Sequence, residues 1–325
     1  MSIKGFTSSI FNSALKRCAP SICRMLIFRN AEYAAFLPQM YVRIETTNAC
    51  NAECDFCTHK ELKRKTGFMD YDLSAKIVDE CARLKINTIW FIGFGEPLMD
   101  KLLEKRIRYA KNAGIRTTAI STNGQLLDKN RAQGLIDSGL DEINISLDAD
   151  SKENYEKRRL KLNYETVINN LEGVLSLKKS SGIIKPKITL SFVRDENYRR
   201  EAEEFIKKWQ PRVDAINVSA MHNWGKDHKG IRRKYSIPCY RLWFTFVIQC
   251  DGLVSLCCAD TQGEFILGDM NKSSVEKIWN NDAYRNIRRN NLKLLNSANS
   301  ICSKCSLTDR DSLSWLTKLF RGKNA

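Results

Sequence analysis

The chain has 325 residues and a formal net charge of +16, with 43% hydrophobic and 28% charged residues. This length suggests roughly two domains and a core large enough to need no disulfides, and the composition excludes a mainly disordered chain. The most notable charge-free apolar stretch, 242–250, is too short to span a bilayer. The cysteine content is unusual, with 12 cysteines against three histidines.

Short β-branched runs alternate with helical patterns along the first two thirds of the chain. The predicted strands are 41–46, 88–92, 116–120, 142–147, 187–193 and 215–219, and the predicted helices are 72–84, 101–112, 129–138, 163–179 and 199–210. This alternation predicts parallel strands joined by crossover helices. We expect an α/β fold, a partial (β/α)6 TIM-like barrel over 41–225, with its chemistry at the carboxyl ends of the strands.

The pattern changes beyond residue 220. A polar and basic connection over 222–234 leads to short strands around the turn dipeptide Asp251-Gly252 and to helices at 274–279 and 282–290. The pair Cys302 and Cys305 follows. We predict a domain boundary near 225–238 and a small cysteine-rich domain over 236–310.

Three cysteines lie in one loop directly after the first predicted strand. Cys50, Cys54 and Cys57 have the spacing C-x3-C-x2-C. Their thiolates can hold three irons of a cubane cluster and leave the fourth iron open to a cofactor or substrate. The alternative is a zinc site with His59 as the fourth ligand.

This loop, with an aromatic residue before its last cysteine, resembles the signature of the radical S-adenosylmethionine (SAM) enzymes. Later strand ends carry Gly93-Phe94-Gly95-Glu96-Pro97, Ser121-Thr122-Asn123-Gly124 and Ser146-Leu147-Asp148, which are similar to that family's GGEP, STNG and SLDG motifs. The resemblance implies a SAM-binding [4Fe-4S] cluster and a pocket that contacts the amino group, carboxylate and ribose of SAM. The SAM-contacting residues that it implies are Gly95, Glu96, Pro97, Ser121, Asn123, Ser146 and Asp148.

A second group of cysteines resembles the SPASM/twitch extension of radical SAM enzymes. The resemblance implies one auxiliary [4Fe-4S] cluster, held by Cys239, Cys257, Cys302 and Cys305. Cys258 could replace Cys257, Cys250 is a spare ligand or a core residue, and a zinc ribbon on the same four cysteines is the alternative. The cysteines without partners at metal spacing, Cys18, Cys23 and Cys81, are expected to be buried apolar residues.

The resemblance to twitch aminocyclitol dehydrogenases implies an oxidoreductase. A 5′-deoxyadenosyl radical would abstract hydrogen from a carbon that bears a hydroxyl, in a sugar, aminocyclitol or related glycan or natural-product intermediate, and the auxiliary cluster would accept an electron. Such oxidation needs a base. His222 is the best-placed candidate, although it could be a plain connector residue, and Arg194, Asp195 and Glu196 are alternatives.

Two other functions fit parts of the pattern. A peptide-modifying SPASM maturase is the second candidate. Only 40 residues precede the first strand, which is fewer than a peptide-recognition domain in the same chain would need. An iron–sulfur electron-relay protein would need no SAM pocket. We expect a reductant such as flavodoxin or ferredoxin as a partner, and we do not expect a nucleic acid partner. The sequence does not identify the substrate.

The two ends of the chain are basic. Residues 1–40 carry five basic and one acidic residue, and 271–325 carry eleven and four. The N-terminal segment and the tail over 311–325 both read as amphipathic, which predicts either peripheral contact with anionic lipid or a cover for the open ends of the two domains. Because no signal peptide is visible, we expect a cytoplasmic protein with reduced cysteines.

Overall fold

The computed structural model describes residues 40–194, 198–223, 239–293 and 300–305. The strands are β1 (Tyr41–Ile44), β2 (Glu53–Cys54), β3 (Thr88–Phe91), β4 (Thr117–Thr122), β5 (Glu142–Ser146), β6 (Arg159–Leu160), β7 (Lys187–Arg194), β8 (Ala215–Ala220), β9 (Thr245–Ile248), β10 (Leu253–Ser255) and β11 (Ile266–Asp269). The helices are α1 (Tyr71–Arg83), α2 (Leu103–Asn112), α3 (Lys129–Asp137), α4 (Lys152–Arg158), α5 (Tyr164–Ser181), α6 (Arg199–Trp209), α7 (Arg241–Phe244), α8 (Val275–Trp279), α9 (Asp282–Leu292) and α10 (Ser300–Lys304).

The strand–helix alternation of the sequence is confirmed. Within the described residues, β1, β3, β4, β5, β7 and β8 are neighbours in one sheet in that order, and every pair is parallel. Each predicted barrel strand and helix is present, with ends shifted by a few residues. The fold is therefore the predicted α/β partial barrel.

Side-chain alternation along the strands separates two faces of this sheet. In β5, Ile143 and Ile145 are buried at 2% and 0% exposure, while Asn144 and Ser146 on the opposite face are partly exposed. In barrels of this type the helices cover the outer face, so the apolar side is the outer one. We call the other side the inner face, and its residues from neighbouring strands are Arg43, Trp90, Ser121, Asn144, Ser146 and Ser191.

Helix ends follow local capping rules. Asp70 accepts a hydrogen bond from the backbone nitrogen of Leu73 at 3.0 Å and so begins α1, and Asp128 does the same for α3 through Arg131. Gly182 ends α5 in the left-handed region, at φ 63°. The chain therefore fixes its crossover helices with local signals.

The strands after residue 244 extend the barrel sheet. β9 pairs with β1 in parallel, with Tyr41 opposite Thr245, and β10 and β11 continue from β9 in antiparallel fashion. The chain divides into two compact units: the described parts of Phe36–Met221 with Phe244–Ile278 form one, and those of His222–Trp243 with Trp279–Ala325 belong to the other. The predicted bounds of the cysteine-rich domain, 236–310, stay a prediction.

No helix among the described residues has the length and apolar character needed to cross a bilayer. The basic ends that suggested lipid contact fall almost entirely on residues 1–39 and 306–325, which lie outside the described residues. Cys18 and Cys23 also lie outside them. Cys81 is fully buried at 0% exposure, which confirms its prediction as a core residue.

Candidate active site

The cysteine loop, residues 45–57, begins where β1 ends and is held by a short hairpin-like pairing. β2 pairs antiparallel with β6, so that Cys54 lies opposite Arg159. The backbone nitrogen of Asp55 donates to the carbonyl of Arg158 at 2.9 Å, and Lys161 forms an ion pair with Glu53. A segment 105 positions further along the chain therefore fixes the middle of the loop.

The three loop thiols lie close together and are largely shielded from water. Burial, with smaller contributions from the charges of Glu96, Cys54 and Cys57, raises the pKa of Cys50 to about 12. Burial also raises the pKa of Cys54 and of Cys57. A bound cationic centre would supply the positive charge that such thiols need to ionise, and soft thiolates suit an iron–sulfur cluster. The donor set therefore fits the predicted cluster.

His59 does not complete a zinc site through its Nε2 atom. That nitrogen lies 2.7 Å from the carbonyl oxygen of Asn48. A carbonyl can only accept, so Nε2 carries the proton and cannot bind a metal ion. Among the described residues, no group of three or more His, Cys, Asp or Glu side chains is arranged to hold a single metal ion.

The Gly95-Glu96 segment after β3 packs directly on the cysteine loop. A Cβ atom on Gly95 would lie 2.3 Å from the carbonyl oxygen of Ala49 and 2.6 Å from that of Thr47. The backbone nitrogen of Glu96 donates to the same Ala49 carbonyl at 2.8 Å. Only glycine permits this approach, so the motif and the loop form one cradle.

Glu96 connects the strand ends of β3 and β4. Its Oε1 accepts from the hydroxyl of Thr122 at 2.6 Å and from the backbone nitrogen of Leu98 at 3.0 Å, and its Oε2 accepts from the backbone nitrogen of Asn123 at 2.7 Å. The residue is 3% exposed, and burial raises the pKa of its carboxyl group. Pro97 begins the short turn that follows, Pro97–Met99.

The Ser-Thr-Asn-Gly segment reaches the cysteine loop through Asn123. Its Nδ2 donates to the side-chain oxygen of Asn51 at 2.7 Å, and its Oδ1 accepts from the backbone nitrogen of Gln125 at 2.9 Å. The structure therefore brings together three predicted segments: the cysteine loop, Gly95-Glu96-Pro97 and Asn123.

The predicted serines lie on the inner face, beside one another. Asn144 donates through Nδ2 to the hydroxyl of Ser121 at 2.8 Å and to that of Ser191 at 3.2 Å, and the Ser191 hydroxyl donates to that of Ser146 at 3.3 Å. The resulting row of small polar groups crosses β4, β5 and β7. It lies next to the strand ends that carry the other motifs.

Asp148 is 1% exposed and is occupied by protein partners. Its Oδ1 accepts from the backbone nitrogen of Val193 at 2.5 Å, and its Oδ2 accepts from Nε of Arg159 at 2.8 Å and also from Nη2 of that residue. The backbone at Asp148 is left-handed, with φ 58°. The structure thus places Asp148 beside Arg159, which in turn contacts Cys54. The predicted contact of Asp148 with SAM stays a prediction.

A buried ion pair holds the segment after the cysteine loop. Both carboxylate oxygens of Glu45 accept from Arg64, at 2.7 and 3.0 Å, and they also accept from the backbone nitrogens of Phe94 and Cys250. Nε of Arg64 donates to the carbonyl of Thr261 at 2.9 Å. The carboxylate of Glu45 thus holds the backbone of Phe94, the residue that replaces the first glycine of the motif.

The predicted auxiliary cysteines fall in both compact units. Cys257 belongs to the unit that contains the barrel, and Cys239, Cys302 and Cys305 belong to the other. The backbone nitrogen of Cys239 donates to the side chain of Asn291 at 2.7 Å, and that of Cys305 to the carbonyl of Cys302 at 3.3 Å. The four-cysteine ligand set stays a prediction.

The turn after Cys257 is shaped by a buried aspartate. Asp260 accepts from the backbone nitrogens of Leu256, Glu264 and Phe265 at 3.3, 2.8 and 3.1 Å. The backbone nitrogen of Ala259 donates to the sulfur of Cys257 at 3.4 Å. Cys250 is 7% exposed, and burial raises its pKa to about 12.

The candidate bases are placed but not assigned. His222 follows β8 by two residues and belongs to the second compact unit. Arg194 ends β7, and Asp195 and Glu196 lie outside the described residues. The role of His222 as a base stays a prediction.

Charged residues that the motifs did not indicate surround the site: Glu45, Arg64 and Arg159. Their partners are distant in sequence, such as Cys54 for Arg159 and Thr261 for Arg64. The Arg158-Arg159 doublet begins ten residues after Asp148 in the sequence, but the sequence does not indicate that both arginines are buried.

Two family models match the chain. Residues 44–210, half of the chain, match the radical SAM superfamily, and residues 239–306 match an iron–sulfur cluster-binding domain of the SPASM type.

Curated relatives match part of the chain. The chain is 34% identical to a GTP 3′,8-cyclase of Chlorobaculum tepidum over 42% of this chain and 41% of the relative. It is 32% identical to a probable GTP 3′,8-cyclase of Saccharolobus solfataricus over 59% of this chain and 62% of the relative. A tungsten-containing aldehyde ferredoxin oxidoreductase cofactor-modifying protein of Pyrococcus furiosus is 28% identical over 55% and 51%. The chain spans about half the length of the curated relatives it matches.

Solved structures share the fold. BtrN in complex with AdoMet and 2-DOIA has a TM-score of 0.59 and 18% identity, covering 82% of this chain and 92% of that one. Streptococcus suis SuiB bound to S-adenosylmethionine has a TM-score of 0.64 and 15% identity, covering 88% and 79%.

The cofactors predicted from the sequence follow from the family. The radical SAM domain binds SAM and a [4Fe-4S] cluster, and the SPASM domain binds auxiliary iron–sulfur clusters. The chain belongs to the radical SAM superfamily and carries a C-terminal SPASM domain.

Proposed function

We propose that this radical SAM enzyme is an oxidoreductase that oxidises a hydroxyl-bearing carbon of a sugar, an aminocyclitol or a related glycan or natural-product intermediate. The observation that carries the proposal is the polar inner face of the barrel. Asn144 and Ser191 supply amide and hydroxyl groups there, and they are hydrogen-bonded to Ser121 and Ser146, which are the predicted contacts of SAM. A substrate rich in hydroxyls is matched by such groups, since buried polar atoms require partners.

The inner face keeps hydrogen-bonding capacity for a ligand. The Oδ1 atom of Asn144 is buried and has no hydrogen-bond partner among the described residues. An amide oxygen of this kind accepts a hydroxyl or amine proton. Because Nδ2 of Asn144 is held by two serines, the direction of Oδ1 is fixed.

Cys50, Cys54 and Cys57 would hold the loop cluster, which together with SAM would supply a 5′-deoxyadenosyl radical to remove one hydrogen atom from the substrate carbon. His222 would take the hydroxyl proton, and Cys239, Cys257, Cys302 and Cys305 would hold the auxiliary cluster, which would accept one electron. The alcohol loses two hydrogen atoms in all, one to the radical and one as a proton and an electron, and becomes a ketone. A reductant such as flavodoxin or ferredoxin supplies the electron for each SAM cleavage.

A second candidate substrate is an anionic one, such as a nucleotide. Arg43 lies on the inner face of β1, and its buried Nε atom has no hydrogen-bond partner among the described residues. A guanidinium with an unsatisfied N–H group favours a carboxylate or phosphate ligand. Relatives named GTP 3′,8-cyclase make a purine nucleotide the first compound to test, with cyclisation rather than oxidation as the outcome.

The test is anaerobic turnover of the reconstituted holoenzyme with SAM, a reductant and a panel of aminocyclitols, nucleotide sugars, GTP and short peptides. Oxidation predicts one compound whose product is two mass units lighter, with 5′-deoxyadenosine formed in equal amount. Deuterium placed on the reacting carbon should appear in 5′-deoxyadenosine.

A product of unchanged mass from GTP would replace oxidation with cyclisation. A modified peptide would contradict both, and it is the substrate class that SuiB illustrates with its precursor peptide SuiA. The protein with Cys50, Cys54 and Cys57 replaced by Ala serves as the control for adventitious SAM breakdown.

A further inference from the structure

Arg159 places a buried positive charge against one of the loop cysteines. Its Nη1 atom lies 3.7 Å from the sulfur of Cys54, within the range of an N–H···S hydrogen bond. The residue is 6% exposed, and the ring of Phe56 lies 5.5 Å from its guanidinium carbon. Water therefore does not screen this contact as it would at the surface.

Two independent restraints hold the guanidinium in this place. The backbone of Arg159 pairs with that of Cys54 in the β2–β6 ladder. On the other edge of the guanidinium, Nε and Nη2 are bound by the carboxylate of Asp148, whose second oxygen is fixed by the backbone nitrogen of Val193. Nη1 is thus directed at the sulfur by contacts on both sides.

The neighbouring arginine already performs the structural task. Arg158, at 0% exposure, donates through Nη1 to the carbonyl of Asp148 and through Nη2 to that of Val193, each at 2.8 Å. It joins the strand ends of β5 and β7 without touching a cysteine. A second buried arginine is not needed for that connection, which leaves the sulfur contact of Arg159 to be explained.

We propose that Arg159, held by Asp148, is a positioning residue that raises the reduction potential of the loop cluster through its hydrogen bond to the Cys54 sulfur. The proposal rests on Cys54 being a cluster ligand in the proposed function. Hydrogen bonds to the sulfurs and local charge set the potentials of iron–sulfur clusters. Reduction adds one negative charge to the cluster, and a fixed cation beside it stabilises that charge.

The test is a redox titration of the reconstituted holoenzyme without substrate, monitored by electron paramagnetic resonance. The loop cluster is identified as the signal that changes when SAM is added. We expect its midpoint to shift to more negative potential in Arg159→Gln and by less in Arg159→Lys, which keeps the charge but loses the planar fork. The matched control is Lys161→Gln, directly after β6, where the removed charge is 61% exposed and its loss should leave the midpoint unchanged.

An unchanged midpoint in an Arg159→Gln protein that keeps its loop cluster would overturn the proposal, and it would leave the proposed oxidation untouched because no substrate is present. If Arg159→Gln does not retain the cluster, Arg159→Lys decides. Its iron–sulfur stretching bands in resonance Raman spectra should differ from wild type and should shift less in deuterated water. Wild-type bands and midpoint in Arg159→Lys would show that Arg159 only holds the fold.

Discussion

The cofactor pocket and the inner face of the same barrel differ in how their polar groups are satisfied. In the pocket, the carboxylate of Glu96 accepts from three donors, and Asn123 is bonded at both its amide atoms. On the inner face, Oδ1 of Asn144 and Nε of Arg43 are buried without hydrogen-bond partners among the described residues. The protein's own groups thus satisfy the residues of the pocket, whereas the inner face retains groups for a ligand to satisfy.

This difference separates the binding of the cofactor from the recognition of the substrate. A pocket whose own residues hold one another is preorganised for one cofactor. A face with unpartnered donors and acceptors gains its hydrogen bonds only from the correct substrate, since leaving them unmet costs free energy. We expect substitutions in the pocket to affect SAM binding and cleavage, and substitution of Asn144 or Arg43 on the inner face to affect the substrate alone.

The largest effect is expected from removing the loop thiols. Replacing Cys50, Cys54 and Cys57 by Ala should reduce the iron content from about eight to about four per chain and abolish SAM cleavage, because no cluster remains to reduce SAM. Iron analysis and chromatography of 5′-deoxyadenosine measure both. A colourless wild-type protein with stoichiometric zinc would contradict the assignment of this loop.

Removing the predicted auxiliary ligands should separate cleavage from product. In Cys302→Ala/Cys305→Ala, the loop cluster is untouched, so SAM is still cleaved, but product formation should be lost because the substrate electron has no acceptor. The ratio of product to 5′-deoxyadenosine reports this. A wild-type ratio would show that the second site takes no electron from the substrate.

A single methyl group should test the tight contact within the pocket. In Gly95→Ala, the added Cβ meets the carbonyl oxygens of Ala49 and Thr47, so the cysteine loop must move. Overpacking of this kind costs about 1–3 kcal/mol, and we expect SAM affinity to fall about tenfold or more by calorimetry.

Gly173→Ala is the matched control, since that glycine lies in α5 with open space around the new Cβ. Its SAM affinity should equal that of wild type. An equal loss of SAM affinity in both variants would mean that the close contact of Gly95 with the cysteine loop is not what SAM binding requires.

On the inner face, Asn144→Ala should lower kcat/KM for the substrate by about three- to tenfold, the effect of one hydrogen bond, with SAM affinity unchanged. Steady-state kinetics and calorimetry measure the two quantities. A parallel loss of SAM affinity would show that Asn144 belongs to the pocket and that the two regions do not act separately.

The smallest effect is expected far from the carboxyl strand ends. Burial alone would raise the pKa of Asp141, but hydrogen bonds from Lys111, Lys185 and the backbone nitrogen of Thr118 outweigh it and lower the pKa. Its stabilising contribution is present above the unfolded value, about 3.9, and is lost as the pH falls through the lower folded value.

Asp141→Asn should therefore unfold a few degrees below wild type at pH 7, and this difference should narrow below about pH 4. SAM binding should not change. Melting curves across pH, with calorimetry at neutral pH, test this. A constant gap at all pH values would mean that the charge of Asp141 does not contribute.

Local motifs made much of the pocket predictable. The strands and helices of the barrel follow from period and capping, and Gly95, Glu96 and Asn123 lie together as their places at successive strand ends required. What the sequence did not reveal depends on long-range partners. Arg159 meets Cys54 across 105 positions, and Arg64 meets Thr261 across 197.

The strand β9 shows the same limit. Its sequence indicated a short strand beside a turn, but not that it would pair with β1 and continue the barrel sheet. Pairing between distant strands depends on which edge the whole chain leaves open, and alternation alone does not specify the partner. The inner face was equally hidden, because Asn144 and Arg43 acquire meaning only when their missing partners are visible.

The most direct test of the account is a calorimetric titration of SAM into the anaerobic, reconstituted holoenzyme with no substrate present. A pocket whose residues hold one another predicts binding of one SAM per chain and loss of that binding when the three loop cysteines are replaced. No binding until a substrate is added would contradict the account, because the pocket would then be completed by the ligand of the inner face.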